Sequence, residues 1–98
     1  MIRSFKNQAT EDIFNGKNTK AARKLCPQIL WKIAFRKLDQ LDSVLDLEEL
    51  TIPPGNHLEA LSGDRKGEFS IRINDQYRIC FSWHKANPDQ VEIVDYHS

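Results

Sequence analysis

Two runs of alternating apolar and polar residues, separated by a short polar turn, constrain the fold of this chain more than any other feature. Apolar residues occupy positions 69, 71 and 73 in the first run and positions 77, 79, 81 and 83 in the second. Alternation with a period of two places the two sets of side chains on opposite faces of a strand. Asn74-Asp75-Gln76, between the runs, is typical of a tight reversal. The sequence therefore predicts two antiparallel strands with one buried face, and with Arg72 and Arg78 on the other face.

The residues before this hairpin are typical of helices. Ile2–Phe5 predicts a short first strand, and Thr10 is expected to cap a brief helix that Asn15-Gly16 ends. A second helix, the longest element, is expected to begin between Thr19 and Pro27. Its apolar face follows three- and four-residue spacing and would comprise Ile29, Leu30, Ile33, Ala34, Leu38 and Leu41.

The remaining segments complete the predicted architecture. Residues 46–50 predict one more helical turn, and Pro53-Pro54-Gly55 ends helical structure. Residues 58–61 predict a short strand, and residues 91–97 predict a last strand after a loose turn at 87–89. The chain is thus expected to be a single α+β domain over residues 1–98. An N-terminal strand and two to three helices would pack on one face of a mainly antiparallel sheet.

The composition, 40% apolar and 29% charged, is that of a globular protein. The opening Met1–Lys6 lacks the apolar run of a signal peptide, and no stretch is apolar enough for a bilayer, so we expect a cytoplasmic protein that does not contact a membrane. Cys26 and Cys80 are expected to be buried thiols rather than a disulfide. Neither zinc-ligand spacing nor a glycine-rich phosphate loop is present, so no metal and no cofactor is expected.

Charge is unevenly distributed along a chain whose formal net charge is zero. Residues 17–38 contain seven basic residues and no acidic one, whereas residues 39–59 contain six acidic residues and no lysine or arginine. The basic segment predicts either a local face for phosphate groups or an ordinary solvated helix surface. The sequence leaves both interpretations open.

The end of the chain carries the residues best suited to catalysis. Asp95-Tyr96-His97 places a carboxylate, a phenol and an imidazole together at the end of a predicted strand. Metal-free RNA cleavage needs a base for the 2′-hydroxyl, a cation near the phosphate and an acid for the departing 5′-oxygen. His97 suits proton transfer near neutral pH, and Arg78 suits a forked contact to phosphate. Each of these catalytic interpretations has a plainer alternative. Asp95-Tyr96-His97 would be only a polar chain end, and Arg78 would only form a surface ion pair with Asp75 or Glu59.

Three stretches of the chain resemble the HigB-type toxins, the plasmid-maintenance killer family of the RelE/ParE superfamily. They are residues 61–81 (LSGDRKGEFSIRINDQYRICF), the ending 91–97 (VEIVDYH) and the opening 1–5 (MIRSF), in the right order along essentially the whole chain. The resemblance implies a RelE-like fold and a metal-independent endoribonuclease that cleaves messenger RNA, usually on the translating ribosome, and so inhibits translation. It also implies a HigA-type helix-turn-helix antitoxin as partner, with operator DNA bound only through that antitoxin.

Carried over by position, the resemblance also implies roles for individual residues. Arg78 would be the arginine that stabilises the phosphate. The C-terminal catalytic group would be Asp95, Tyr96 and His97. The basic residues that contact RNA would be Arg65, Lys66 and Arg72.

The short strand before the Gly-Asp-Arg turn departs from the family's pattern. Many relatives place a histidine and a lysine there, where this chain has Glu59 and Ser62. A carboxylate can act as a base, so Glu59 is a candidate catalytic residue, but it also brings negative charge towards a phosphate. The identity of the general base therefore stays open, with His57 as a partial substitute.

Two other functions are consistent with the sequence. A ParE-like toxin of the same superfamily would bind DNA gyrase without nuclease activity, and a catalytically weakened chain would only bind RNA. Arg78 and the Asp95-Tyr96-His97 ending favour the nuclease, because a purely binding toxin has no need of that set. The basic segment from Lys17 to Lys37 is one surface that an antitoxin could use, a hypothesis motivated by charge alone.

Overall fold

The computed structural model describes residues 1–96 and places three α-helices before a four-stranded sheet. The helices are α1 (Gln8–Phe14), α2 (Lys20–Leu25) and α3 (Trp31–Ser43). The strands are β1 (Glu59–Ala60), β2 (Glu68–Arg72), β3 (Tyr77–His84) and β4 (Asn87–Asp95). Short 3₁₀ helices occur at Gln28–Leu30, Leu47–Thr51, Pro54–Asn56 and Gly63–Arg65. The predicted α+β class is confirmed, and within residues 1–96 no helix has the length and hydropathy that a bilayer crossing requires.

The sheet follows the order of the chain, β1-β2-β3-β4, and each neighbouring pair is antiparallel. The predicted central hairpin is confirmed, with Ile71 of β2 opposite Ile79 of β3. Its reversal depends on Asn74, whose Oδ1 accepts hydrogen bonds from the backbone N–H groups of Gln76 (2.9 Å) and Tyr77 (2.7 Å). Asparagine favours turns because its side chain can form a hydrogen bond with the backbone two residues further along the chain.

The first residues run parallel to β4 without forming a regular strand. Phe5 makes an isolated bridge with Val91, and the Lys6 N–H donates to the Val91 carbonyl at 2.9 Å. The strand predicted at Ile2–Phe5 is therefore reduced to one bridge, because the chain turns away at Asn7 to begin α1.

The cap of α1 is Asn7 rather than Thr10, so that prediction was wrong. The Asn7 side chain accepts a hydrogen bond from the Thr10 N–H at 2.8 Å, as an N-cap residue does. Thr10 itself is buried within the helix, and its hydroxyl accepts a hydrogen bond from the Ile93 N–H at 3.1 Å. This contact joins α1 to β4, which the local sequence could not indicate.

Pro27 divides the predicted long helix into α2 and α3. Proline disfavours helical conformation in the residue before it, and Cys26 is accordingly extended, with φ −148° and ψ 134°. The inner side of α3 buries Ala34, Leu38 and Leu41. Ile29, predicted for the same face, is 88% exposed because it lies in the 3₁₀ turn before α3, and Ile33 is also exposed.

One face of the sheet and the inner side of α3 enclose the hydrophobic core. Ile71, Ile79 and Ile93 lie opposite one another in register and are buried in one cluster with the apolar residues of α3. Burying a side chain of this size contributes about 1.5–3 kcal/mol. Cys26 and Cys80 are buried free thiols, as predicted.

A two-residue turn joins β3 to β4, whereas the sequence predicted a looser turn around Pro88. His84 pairs with Asn87, and between them Lys85 and Ala86 have positive φ angles of 49° and 64°. Such angles let a tight turn match the twist of the strands, but they favour glycine or asparagine. Because neither residue is of that type, the sequence did not indicate the turn, and Pro88 lies buried inside β4.

Candidate active site

The sheet face opposite the core carries mostly polar side chains, which lie in rows across the strands. Successive residues of a strand point to opposite faces, so the neighbours of the buried isoleucines face away from the core. One row contains Arg72, Arg78 and Val94. The adjacent row contains Glu59, Ser70, Cys80 and Glu92. By this register, Arg72 and Arg78 lie on the face that the sequence predicted for them.

The guanidinium of Arg78 lies at the centre of a small cluster on this face. Its Nη2 donates to the backbone carbonyl of His57 at 2.6 Å, and its Nη1 lies 3.2 Å from Oε1 of Glu59. Its central carbon lies 5.5 Å from the ring centroid of Tyr96, in cation–π range. The Arg78 side chain is only 11% exposed, although the contacting Glu59 side chain is 52% exposed. We call Arg78, Glu59, Tyr96 and the His57 carbonyl the Arg78 cluster.

The Arg78 cluster brings together three residues that the sequence singled out for catalysis. It also contains the ion pair between Arg78 and Glu59, one of the two ion pairs that the sequence offered as a non-catalytic role for this arginine. The other candidate partner, Asp75, pairs with Arg72 instead. The Nε of Arg78 is buried and has no hydrogen-bond partner within residues 1–96. The guanidinium is therefore oriented by two neighbours and keeps unused hydrogen-bonding capacity.

The loop before β1 positions the His57 carbonyl through a buried asparagine. His57 has a left-handed φ of 45° and follows the Pro54–Asn56 turn. The side-chain amide of Asn56 donates to the Leu50 carbonyl at 3.1 Å and to Gln40 of α3 at 3.0 Å, and its oxygen accepts from Lys37 of α3. Burial lowers the pKa of Lys37. In the Arg78 cluster, the contact from His57 comes from its backbone rather than from its imidazole.

Asp95 ends β4 beside a different neighbour. It lies opposite Tyr77 in register, and its Oδ2 accepts a hydrogen bond from the Gln76 side chain at 3.2 Å. Burial, together with the charge of Asp95, raises the pKa of Tyr77. The predicted catalytic residue His97 lies outside the described residues, so the structure gives Asp95 and Tyr96 a position but not the third member of the group.

Arg65, predicted to contact RNA, takes part in a network of ion pairs on the same sheet face. Its Nη1 lies 3.0 Å from Glu68 and 3.1 Å from Glu92, and Lys6 also reaches Glu92 at 3.1 Å. The hydrogen bond to Glu92 raises the pKa of Arg65. Cys80 lies in the row of Glu92, and burial raises the pKa of its thiol to about 11. Arg65 is thus partly neutralised by neighbouring carboxylates.

The other two basic residues predicted for RNA binding lie at the margin of this face. Arg72 is directly opposite Arg78 and pairs with Asp75 in the exposed reversal. Lys66 is exposed in the turn that follows Gly63–Arg65. Arg72 therefore adjoins the Arg78 cluster, and Lys66 lies in the loop that leads into β2.

Sequence reasoning missed the parts played by Asn56 and the His57 backbone. An asparagine that follows Pro-Pro-Gly looks like an ordinary loop residue, and a backbone carbonyl has no signature in the sequence. Across residues 1–96, no group of three histidine, cysteine, aspartate or glutamate side chains is arranged to hold a metal ion. The described cluster offers a cation, a carboxylate and a phenol ring for chemistry.

Comparison with known proteins identifies the family. A family model described as a RelE-like toxin of the type II toxin-antitoxin system HigB matches residues 3–97. The chain belongs to the HigB-like toxin family. Toxin HigB-1 of Vibrio cholerae serotype O1 is 47% identical over 60 residues, which make up 61% of this chain and 63% of that protein. An uncharacterized protein of Haemophilus influenzae is 35% identical over 72 residues, 74% of this chain and 70% of its own length.

Membership of the HigB-like family confirms the resemblance seen in the sequence. The matched range contains the whole Arg78 cluster and also Asp95 and His97. The match to HigB-1 covers a little less than two thirds of that relative's length.

Proposed function

We propose that this HigB-family chain acts as the toxin of a type II toxin–antitoxin system, and that it inhibits translation by cutting messenger RNA on the ribosome without a metal ion. The observation that carries the proposal is the Arg78 cluster, in which a nearly buried guanidinium is held against the ring of Tyr96. An oriented cation contributes most to catalysis when it needs no rearrangement as negative charge develops. Arg78 meets that requirement because the His57 carbonyl and the Tyr96 ring orient it.

The remaining steps of RNA cleavage require proton transfer on both sides of the phosphate. In the proposed reaction a base removes the 2′-hydroxyl proton, the 2′-oxygen attacks phosphorus, and an acid protonates the departing 5′-oxygen. His97 follows Tyr96 in the chain and is the proposed proton-transfer group, with Asp95 to orient it. Glu59 is a candidate for the base because its carboxylate already contacts the guanidinium that would hold the phosphate.

Substrate binding is proposed to extend from the Arg78 cluster over the neighbouring basic residues. Arg72 lies across the strand pair from Arg78, and Arg65 and Lys66 lie in the turn before β2. Affinity for free RNA depends on the number of phosphates that basic residues neutralise. In a chain of zero net charge, in which Arg65 and Arg72 already pair with carboxylates, we expect that affinity to be weak. Presentation of the messenger by the ribosome would compensate for it.

The proposed partner is a HigA-type helix-turn-helix antitoxin, through which the complex would bind operator DNA in the cytoplasm. The family description, which names a type II toxin-antitoxin system, supports an antitoxin partner. The HigA type and the operator DNA are what the resemblance to HigB-type toxins implies. The exposed outer side of α3, with Lys32 and Arg36, is a candidate surface for the antitoxin. Reversing the charge of both residues should weaken the antitoxin complex, and unchanged affinity would remove this surface from consideration.

The test is messenger RNA cleavage in a purified translation system, with and without ribosomes. The native chain is compared with Arg78→Ala and His97→Ala, and with Arg36→Ala as a control for loss of an exposed arginine. We expect ribosome-dependent cuts whose rate falls by about 10²–10³ in Arg78→Ala, the usual cost of removing a group that stabilises a transition state. In His97→Ala the rate should fall by about 10²–10⁴, the usual contribution of a proton-transfer group. The control should cut normally. If translation is untouched and no cuts appear, the nuclease proposal fails, and DNA gyrase becomes the target to assay.

A further inference from the structure

We infer that in the free protein the Glu59 carboxylate occupies the place on Arg78 that a phosphate group takes during binding, so that Glu59 sets the affinity of the site for anions. Naming RNA as the source of that phosphate rests on the proposed function. The competition itself follows from the positions of the side chains around the guanidinium.

The three nitrogens of Arg78 differ in how solvent can reach them. Nη2 donates to the His57 carbonyl at 2.6 Å, and that carbonyl belongs to the loop that the buried Asn56 anchors. Nε is buried and has no hydrogen-bond partner among the described residues. Nη1 is bonded to Glu59 at 3.2 Å. An anion arriving from solvent therefore reaches the guanidinium most directly where the Glu59 carboxylate now lies.

Glu59 is the movable partner in this contact. Its side chain is 52% exposed and extends from β1, a two-residue strand at the edge of the sheet, whereas the Arg78 side chain is 11% exposed and lies against Tyr96. An ion pair with a half-exposed partner is weak in water. A phosphodiester brings two anionic oxygens to the two N–H groups of Nη1, where Glu59 makes a single contact. Exchange of the carboxylate for a phosphate is thus favourable once the phosphate is close.

This exchange makes binding depend on the local concentration of RNA. The carboxylate must be displaced, and it then repels the phosphate that has replaced it, so dilute RNA binds weakly. A messenger held nearby, as on a ribosome, is present at a high effective concentration and overcomes the competition. Glu59 therefore biases the site against free RNA and towards presented RNA.

The experiment compares the native chain with Glu59→Gln, which keeps the size of the side chain and removes its charge. The probe is a short 2′-O-methyl oligoribonucleotide, which carries phosphodiesters but lacks the hydroxyl needed for cleavage, and the readout is fluorescence anisotropy. We expect Glu59→Gln to bind about two- to tenfold more tightly, the gain from removing a competing ion pair of this exposure. Arg78→Ala should abolish the gain when the two substitutions are combined.

Asp75→Asn is the matched control, because it also removes one carboxylate from an arginine of this face. It frees Arg72, the cross-strand neighbour of Arg78, and leaves the Arg78 cluster intact. We expect a smaller gain from it than from Glu59→Gln. A second readout is the ¹⁵N resonance of the Arg78 Nε–H during titration with inorganic phosphate, which should respond at lower phosphate concentrations in Glu59→Gln.

Unchanged or weaker binding by Glu59→Gln would overturn the inference, and so would equal gains in Glu59→Gln and Asp75→Asn. Cleavage of messenger RNA that depends on Arg78, with no gain of affinity in Glu59→Gln, would leave the proposed function standing without the competition. Tighter binding by Glu59→Gln with no cleavage by any form of the chain would support the competition and reject the nuclease.

Discussion

Replacing Asn56 with alanine is expected to destabilise the protein and to loosen the candidate active site together. The Asn56 side chain is fully buried, and it joins the loop before β1 to Lys37 and Gln40 of α3. Alanine keeps the backbone and removes every one of these hydrogen bonds. The His57 carbonyl, which follows directly in the chain, would then hold Arg78 less firmly.

The size of the effect can be estimated from the contacts that are lost. A neutral hydrogen bond contributes about 1 kcal/mol net, and one to a charged group about 1.5–3 kcal/mol. Asn56 donates to the Leu50 carbonyl at 3.1 Å and more weakly to the Ile52 carbonyl at 3.3 Å, and it accepts from Lys37. In the variant, Lys37 can form a hydrogen bond with water, so part of the free energy lost with this contact is recovered. We expect a decrease of about 3 kcal/mol in the free energy of unfolding, which lowers the melting temperature of a chain of this size by about 12–24 °C.

The assay is urea unfolding followed by the fluorescence of Trp31 and Trp83, with Asn15→Ala as the control for an exposed asparagine. The midpoint should fall for Asn56→Ala with an unchanged slope, and the control should stay close to the native chain. A loss below about 1 kcal/mol would refute the reasoning, because it would show that the loop does not depend on these hydrogen bonds.

Three further predictions concern pH, backbone strain and thiol reactivity. Hydrogen bonds from Gln8 and Thr19 hold the pKa of Asp12 below its ordinary value of 3.8. Ionised Asp12 therefore stabilises the folded protein above pH 3.8, and this stabilisation is lost as the pH falls through the lower pKa of the folded state. In Asp12→Asn, the midpoint of urea unfolding should fall less steeply as the pH is lowered. Ala86 has a left-handed φ of 64°, so Ala86→Gly should raise stability by up to about 1 kcal/mol, and a lower urea midpoint would contradict it. Burial raises the pKa of both cysteine thiols to about 11, so alkylation at about pH 8 should be slow in the folded protein and complete in urea, and fast labelling of the folded form would be the contrary result.

The candidate site was predictable where it depends on strand alternation. Arg72 and Arg78 alternate with the apolar residues of their strands, and this pattern placed both on the face away from the core. Side chains alternate between the two faces of a strand whatever surrounds it. The role of Glu59 depended on which strand lies beside β3, and on how far a side chain reaches across the sheet. Its pairing with Arg78 was one alternative from the sequence, and the three-dimensional arrangement selected it over Asp75.

Local pattern by itself determined the hairpin, the α+β class and the burial of both cysteines, since these depend on period, turn residues and hydrophobicity within short windows. Contacts between distant segments decided the rest. Thr10 became a buried acceptor for β4 rather than a helix cap, and Pro27 ended one helix so that Ile29 fell outside the next. The Arg78 cluster joins a loop, an edge strand and the end of β4, which are separated by many residues in the chain. Packing energies between such segments exceed local preferences of a fraction of a kcal/mol, and only the tertiary structure reveals them.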